Sequence, residues 1–380
     1  MKKLFIYFSI AIFFISCNNA EITYPDYTNQ TVYFSVQYPV RNIQLGEARF
    51  DNSLDLDSTF EMGVAVSGMY KNTKDREVYV RYAPELVTNA DTVLLTELGD
   101  TIKVLPPSYY SPDLSTLEKI VIPAGKFDGR IRIKLNSAFY NDPKTIGVRY
   151  VIPLVILPSK VDTVFTGIRP KSYILTKNLA TTIDSVLIGR PAAGIKYPNR
   201  LISSNWQAGF LPMDYTLYGV KYTNKYHGNY FHFGTDSTQL GAVMTKNRYN
   251  TNNPFATIEN SVITLLKTAS LTECTIDRLG GTNIGAKYTV RLKFNTDNTV
   301  GITSVPTVAN DHVVVTGSGK FLDSKDGLAW GGKARKTIIL KYRFTDVKGI
   351  HNCTDTIVYR TDAIVYQDFK IRQLVGKRSL

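Results

Sequence analysis

Asp214, Asp236, Asp323, Asp326, Asp346, Asp355 and Asp362 are the carboxylates that could carry hydrolytic chemistry in the C-terminal half. Cleaving a glycosidic bond needs two carboxylates facing each other across the scissile oxygen. No spacing here singles out such a pair. Asp236, Asp323 and Asp326 stand beside Gly, Ser or Lys, where turn aspartates sit. No HExxH, GxSxG, GxGxxG or P-loop pattern is present. His227 and His232 are five residues apart, so on one strand they would face opposite sides, a poor arrangement for a shared metal. With 4 histidines, none at ligand spacing from a cysteine, neither zinc nor any other cofactor is expected. Asp51, Ser53, Asp55, Asp57 and Thr59 have calcium-loop spacing. However, Leu56 stands where the loop needs glycine and Met62 where the ion needs a bidentate glutamate. An acidic surface loop accounts for them better.

Aromatic residues offer a second chemistry. A sugar ring packs its axial C–H face on a flat aromatic ring, and its hydroxyls need planar donors and acceptors nearby. Tyr and Trp supply the large ring and a polar handle. Asn205-Trp206-Gln207 and the series Tyr215, Tyr218, Tyr222, Tyr226 and Tyr230 have these ingredients. So does Trp330, which stands between Asp326 and Lys333. Core packing is the simpler account of any single ring, because tyrosine-rich strands are ordinary in β-domains. The expectation is collective: at least one exposed aromatic shelf in the C-terminal half.

The cysteines are Cys17, Cys274 and Cys353. In an exported protein the last two could form one disulfide, or remain two buried thiols; the sequence leaves both open. Cys17 ends a leader. Lys2 and Lys3 form a cationic start, Leu4 to Ile15 is almost unbroken apolar, and Asn18-Asn19 turns polar. That is a secretory signal, too short to span a bilayer. Phe14-Ile15-Ser16-Cys17 resembles a bacterial lipobox, with Phe14 departing from the usual aliphatic residue. The resemblance implies a lipidated Cys17 at the mature N-terminus, hence an anchored chain that does not span the membrane.

These residues must be positioned by β-structure. The composition is globular, 43% hydrophobic and 20% charged. About 360 residues follow the leader, enough for two domains at roughly 100–200 residues each. Val32-Tyr33-Phe34, Val64-Ala65-Val66, Val78 to Tyr82, Lys119 to Ile122, Ile131 to Leu135 and Tyr150 to Leu157 read as strands. Pro123-Ala124-Gly125 and Asp128-Gly129 read as turns, the latter closing a hairpin onto Ile131. Strands return at Val262 to Leu266, Tyr288 to Phe294, Val313 to Thr316, Ile338 to Phe344, Thr356 to Tyr359 and Ala363 to Ile371. The pattern predicts an all-β chain: an N-terminal immunoglobulin-like antiparallel β-sandwich and a C-terminal antiparallel β-sandwich or β-barrel. The expected division is leader 1–17, tether 18–30, sandwich 31–165, connector 166–200 and C-terminal β-domain 201–375. The net charge of +13 is uneven: 21 basic against 19 acidic side chains in residues 1–190, and 24 against 13 in residues 191–380. A basic half could attract a polyanion such as an acidic polysaccharide. A lysine-rich solvated sheet face explains most of that charge without a ligand. No nucleic-acid recognition motif is present, and none is expected in an exported chain.

Val78-Tyr79-Val80 before Pro84-Glu85-Leu86, Leu105-Pro106 with Tyr109-Tyr110, Ile120 to Gly125 and Tyr150-Val151-Ile152-Pro153-Leu154 carry a wider resemblance. Residues 30–160 are similar to the uncharacterised β-sandwich domain at the front of many Bacteroidetes outer-membrane lipoproteins from polysaccharide-utilisation loci. In that family the domain also precedes some glycoside hydrolase family 18 domains. The second half lacks both the DxxDxDxE run and the alternating strand–helix pattern of such a hydrolase. It resembles, more weakly, modules that follow the same domain, through Gly317 to Phe321, Trp330 and Lys341 to Phe344. The resemblance implies surface work on glycans. The expected protein is a non-catalytic, lipid-anchored outer-membrane glycan binder facing the cell exterior. Its implied partners are a polysaccharide or oligosaccharide and an outer-membrane glycan importer complex. The rivals are an adhesive surface protein with a protein partner, and a glycan hydrolase with an unrecognised carboxylate pair.

Overall fold

In the computed structural model, residues 31–88, 92–96, 98–157, 189–196, 198–249, 262–277, 279, 288–305, 313–365 and 372–375 are described. The leader with Cys17, the tether and the connector up to residue 188 lie outside them. Among the described residues no helix is long and apolar enough to cross a membrane.

The N-terminal unit is a sandwich of two sheets. One sheet orders β1 (Thr31–Tyr33), β3 (Thr59–Ser67), β9 (Asp128–Leu135) and β7 (Tyr110–Ser111) as β1-β3-β9-β7. The other contains β2 (Val40–Gln44), β4 (Arg76–Tyr82), β6 (Lys103–Val104), β8 (Lys119–Ile122), β10 (Tyr150–Ile156) and β11 (Tyr215–Thr223). Its order is β2-β11-β10-β4-β8, with β6 also on β10. Short β5 (Thr92–Leu95) pairs antiparallel with β23 (Arg372–Val375).

β10 shows why the sequence folds this way. Its seven residues are all buried, and a continuous apolar run of that length fits a strand covered on both faces. Tyr150, Ile152, Leu154 and Ile156 point into the core between the sheets, against Phe60, Ile120 and Ile133. Val151 and Val155 point the other way, onto Val87, Leu94, Tyr215 and Leu217. Pro153 stands mid-strand where no donor is needed. The carbonyls of Arg149, Val151 and Pro153 accept from Lys103, Leu105 and Ala83, so the proline nitrogen faces the seam between β6 and β4.

The C-terminal unit is a barrel. Eight strands close it: β12 (Gly228–Leu240), β14 (Ile263–Thr268), β15 (Glu273–Asp277), β16 (Thr289–Phe294), β17 (Thr299–Val305), β18 (Thr316–Leu322), β21 (Thr337–Asp346) and β22 (Gly349–Thr361). Every neighbour is antiparallel, and β22 pairs back onto β12 from Ile350↔Gln239 to Thr361↔Asn229. β13 (Val243–Tyr249) extends β12 as an exposed flap strand, and β19 (Ala329–Trp330) with β20 (Lys333–Ala334) forms a small outer hairpin. Alternation fills the interior: Val290, Leu292 and Phe294 on β16 and Ile338, Leu340, Tyr342 and Phe344 on β21 point inward. The basic residues Lys341 and Arg343 alternate outward, as half-buried antiparallel sheet requires.

Three expectations are corrected. Asp128-Gly129 begins β9; the turn is Pro123–Lys126, where the Lys126 amide donates to the Pro123 carbonyl at 3.0 Å. Ala363–Val365 forms no strand, and the rest of that expected strand, 366–371, lies outside the described residues. The division at residue 200 does not follow the sheets. β11 pairs with β10 from Tyr150↔Val220 to Val155↔Tyr215 and lies parallel to β2, so it is a sandwich strand. The joint to the barrel is residues 224–227. Asn224 holds it: its side chain donates to the carbonyls of Ser270 at 2.7 Å and Glu273 at 2.9 Å.

Candidate functional site

The expected aromatic shelf is largely core. Trp206 is buried, its Nε1 donating to the Asn199 carbonyl at 2.8 Å, and it packs into the sandwich core. Tyr215 and Tyr222 are buried on β11, and Tyr218 is half-buried, stacked on Phe60 at 5.7 Å. Tyr226 stacks on Phe294 at 3.7 Å inside the barrel end nearest the joint, and Tyr230 is fully buried beside Tyr359. These five, Trp206, Tyr215, Tyr222, Tyr226 and Tyr230, present no ring face to a guest. The reason is burial area: a ring removes 150–250 Å² from water, so strand aromatics go inward first.

Trp330 is different. It sits at the tip of the β19–β20 hairpin, where Trp330 pairs with Lys333 across Gly331-Gly332. Both glycines have positive φ, 61° and 75°, which a two-residue turn of this kind requires and other residues resist. The hairpin lays the indole on the outside of β12. There it stacks on Phe231 at 4.9 Å and 15°, with half-buried Phe233 at 6.2 Å. The Arg335 Nε donates to the Trp330 carbonyl at 2.9 Å, and the Arg360 guanidinium lies 5.6 Å from the centre of the Phe231 ring. One indole face is thus fixed on Phe231, and the ring remains partly exposed.

Inside the barrel lies a polar network that the sequence reading missed. Asp355, fully buried, accepts from His232 Nε2 and the Tyr342 hydroxyl, each at 2.8 Å, and from the Tyr249 hydroxyl. His351 places Nδ1 2.7 Å from Asp236 Oδ2 and Nε2 2.9 Å from Asp346 Oδ1, with its ring stacked on Phe344 at 4.3 Å. Asp236 and Asp355 are therefore strand residues pointing inward, not turn aspartates. A period-two signal was available: His232, Gly234 and Asp236 share a face of β12, as His351, Cys353, Asp355 and Ile357 share a face of β22. Asp214 is likewise buried, held by Arg200 at 2.7 Å. Asp346 caps its turn through the Lys348 amide, and Asp323 through the Lys325 amide. Asp362 pairs with Arg49 at 3.2 Å. No two of the named aspartates face each other across an open cleft among the described residues. In the acidic loop, Asp55 is buried against Arg41 and the Gln44 amide, and Asp57 pairs with Lys134 at 2.9 Å. Among the described residues no group of three or more His, Cys, Asp or Glu is arranged to hold a metal.

Cys274 and Cys353 are both free and buried, which corrects the disulfide option. Each thiol has its own partner: Cys274 donates to Asn224 Oδ1 at 3.4 Å, Cys353 to Asp236 Oδ1 at 3.5 Å. Burial pushes the Cys274 thiol up to about 12. Neither is an activated nucleophile.

Two family models match. One described as an N-terminal domain covers residues 27–162. One described as a domain of unknown function (DUF5627) covers residues 225–363, the barrel from the joint onward. β11 falls between the two ranges although it belongs to the sandwich. No curated protein matches. A solved structure of unknown function from Bacteroides ovatus is 27% identical, with a TM-score of 0.70, covering 92% of this chain and 99% of its own. A second, also of unknown function from Bacteroides ovatus, is 12% identical with a TM-score of 0.36, covering 90% of this chain and 99% of its own. The two family models and the 27%-identical structure point to a Bacteroidetes protein built of uncharacterised domains.

Proposed function

We propose that this chain is a non-catalytic glycan-binding protein of a polysaccharide-utilisation system. Lipidated Cys17 holds it on the outer membrane, facing outward beside a glycan importer. The sandwich is the spacer and the barrel carries the binding surface. The observation that supports this reading is the Trp330 hairpin, a flat, partly exposed indole backed by Phe231, with Arg335 bonded to the Trp330 carbonyl and Arg360 beside the Phe231 ring. Stacking supplies non-directional area, and the Arg335 and Arg360 side chains can donate to ring hydroxyls. No bond is broken. Native affinity electrophoresis of the mature chain against a polysaccharide panel tests it. Retardation by at least one glycan, lost in Trp330→Ala, supports the reading; no retardation by any glycan overturns it. Released reducing sugar would instead identify a hydrolase.

A protein-partner reading is favoured by a different feature. At the β12–β13 tip Leu240, Val243 and Met244 are 60%, 66% and 70% exposed, an apolar patch on an otherwise charged flap. Binding that survives Trp330→Ala but fails when these three become serine would favour it.

A further inference from the structure

One stretch of the barrel's outer wall carries cations without acids. Strand alternation decides which residues face out there. On β12, His232 and Asp236 bond inside the barrel, so Thr235 and Ser237 face out. On β22, Cys353 and Asp355 are buried, so Asn352 and Thr354 face out. On β13, Tyr249 reaches inward to Asp355, so Lys246 and Arg248 face out. On β21, Lys341 and Arg343 alternate with buried Leu340, Tyr342 and Phe344.

The pairing register lines these residues up in rows. Lys246, Ser237, Asn352 and Arg343 are successive cross-strand partners in one row. Arg248, Thr235, Thr354 and Lys341 are successive partners in the next. The result is a strip of hydroxyls and one amide, bounded by Lys246 and Arg248 on one side and by Arg343 and Lys341 on the other. Strands lie about 4.8 Å apart, so the two cation columns stand about 14 Å apart at the backbone, wide enough for a single sugar chain between them. The strip runs on to the Trp330 hairpin: Phe233 is the next outward residue of β12, paired with Thr356, and Trp330 lies 6.2 Å from it.

Two observations separate this strip from an ordinary solvated sheet face. The first is unspent charge. Among the described residues no Asp or Glu points outward on β13, β12, β22 or β21, and Lys246, Arg248, Lys341 and Arg343 have no acidic partner. The β14–β16 wall is built differently. There Glu273 stands opposite Lys293 and 3.6 Å from Arg291, and Asp277 holds Lys267 at 2.9 Å. Within each column of the strip the two cations sit about 7 Å apart along the strand, so they repel until an anion comes between them. The second is unspent hydrogen bonding. The side chains of Thr235, Ser237, Asn352 and Thr354 bond to nothing among the described residues.

We propose that the glycan taken by the Trp330 face is an acidic polysaccharide, laid along β12 and β22 with its carboxylate or sulfate groups against the two cation columns. The inference rests on the glycan reading of Trp330 and names its substrate class. One ring stacks on the indole. The rings beyond it turn their anionic groups to Lys246 and Arg248 or to Lys341 and Arg343, and their hydroxyls to the strip between. The arginines can hold such a group through two N–H donors at once.

Native affinity electrophoresis and isothermal titration of the mature chain test it. The probes are polygalacturonate, alginate and chondroitin sulfate, with methyl-esterified polygalacturonate and galactan as uncharged controls. At least one acidic glycan should bind about tenfold or more tighter than the uncharged ones. Raising salt from about 0.1 M to 1 M shortens the screening length from about 10 Å to 3 Å and should weaken that binding at least about tenfold. Lys341→Gln with Arg343→Gln, and Lys246→Gln with Arg248→Gln, should each weaken it roughly tenfold. Arg291→Gln with Lys293→Gln removes the same charge from the β16 wall and should change it by less than about twofold. Retention of the uronans or of the sulfated chain assigns the anion. An uncharged glycan bound through Trp330 as tightly as any acidic one overturns the proposal and leaves the Trp330 reading standing. So does a β16 pair that weakens binding as much as the strip pairs. If the strip pairs weaken binding and Trp330→Ala does not, the acidic substrate stands and the indole leaves the account. No glycan bound at all overturns both. Capture by phosphatidylglycerol vesicles without any acidic glycan overturns the proposal in favour of a membrane surface. Near-ultraviolet circular dichroism on each variant confirms that the barrel remains packed.

Discussion

The indole of Trp330 lies 4.9 Å from the ring of Phe231 and within 15° of parallel. This places the tryptophan on the barrel's outer wall at a fixed height and tilt, so a guest meets a prepared surface instead of a mobile side chain. Trp330→Ala should reduce glycan retention at least tenfold while leaving thermal stability nearly unchanged, by about 1 kcal/mol or less. Gly331→Val should lower retention too, because φ of 61° resists a β-branched residue and the hairpin must open. Affinity electrophoresis beside differential scanning calorimetry separates the two effects.

Asp355 accepts from one imidazole and two phenols. Asp355→Ala removes the common acceptor of three donors, two of them buried, so it should cost about 3–5 kcal/mol in urea unfolding. Gly234→Ala should be destabilising at the same place, since an added Cβ would fall 2.3 Å from Asp355 Oδ1 and 2.6 Å from the Thr354 carbonyl. Tyr342→Phe, which deletes one donor, should cost only about 1–2 kcal/mol.

Burial, with neighbouring Lys221 adding to it and Asp362 opposing, pushes the His227 imidazole down to about 4. The unfolded value is about 6.5, so between these pH values the unfolded chain holds the extra proton. The stability from His227 is complete above about pH 6.5 and is lost as pH falls toward 4. The loss should be on the order of 2 kcal/mol, allowing for the ring's partial exposure. Urea midpoints at pH 7.5 and 4.5 should differ more for the unaltered chain than for His227→Gln. Equal differences would remove His227 from the account.

Both buried cysteines should resist thiol reagents in the folded chain. Cys274 and Cys353 should react together with an aromatic disulfide only after denaturation, without prior reduction. A mass two units below the reduced value would mean that the free thiols of the structure do not persist.

Much of the architecture was legible because strand length and alternation are local properties. Tyr150 to Leu157 reads as a buried strand, and Lys336 to Phe344 as a half-buried one. The barrel's closure was not legible, since β12 and β22 are more than a hundred residues apart and nothing in either announces the other. The aromatic series was misleading for a physical reason: period two tells which tyrosines share a face but not which face is wet. Tyr226 and Tyr230 share the interior, whereas Phe231, one step out of phase, backs Trp330. The boundary at residue 200 failed because the Pro/Gly-rich stretch precedes β11 instead of following it. Pro191 is buried and bridges to Trp206.

That boundary can be tested directly. A fragment of residues 31–200 lacks β11 and bares the edge of β10, so it should aggregate or remain unfolded. Residues 31–224 restore the strand and should melt cooperatively. Equal folding of the two would mean that β11 is dispensable to the sandwich.

The passage from Thr223 to Gly228 also sets how the molecule carries tension. A pull between the barrel and residue 31 runs along β11, which is laced to β10 on one flank and to β2 on the other. The two ladders therefore resist in shear, many bonds loaded together, and not by peeling one bond at a time. In the proposed role, a chain anchored at its N-terminal end and holding a polymer through its barrel would gain mechanical toughness from that strand.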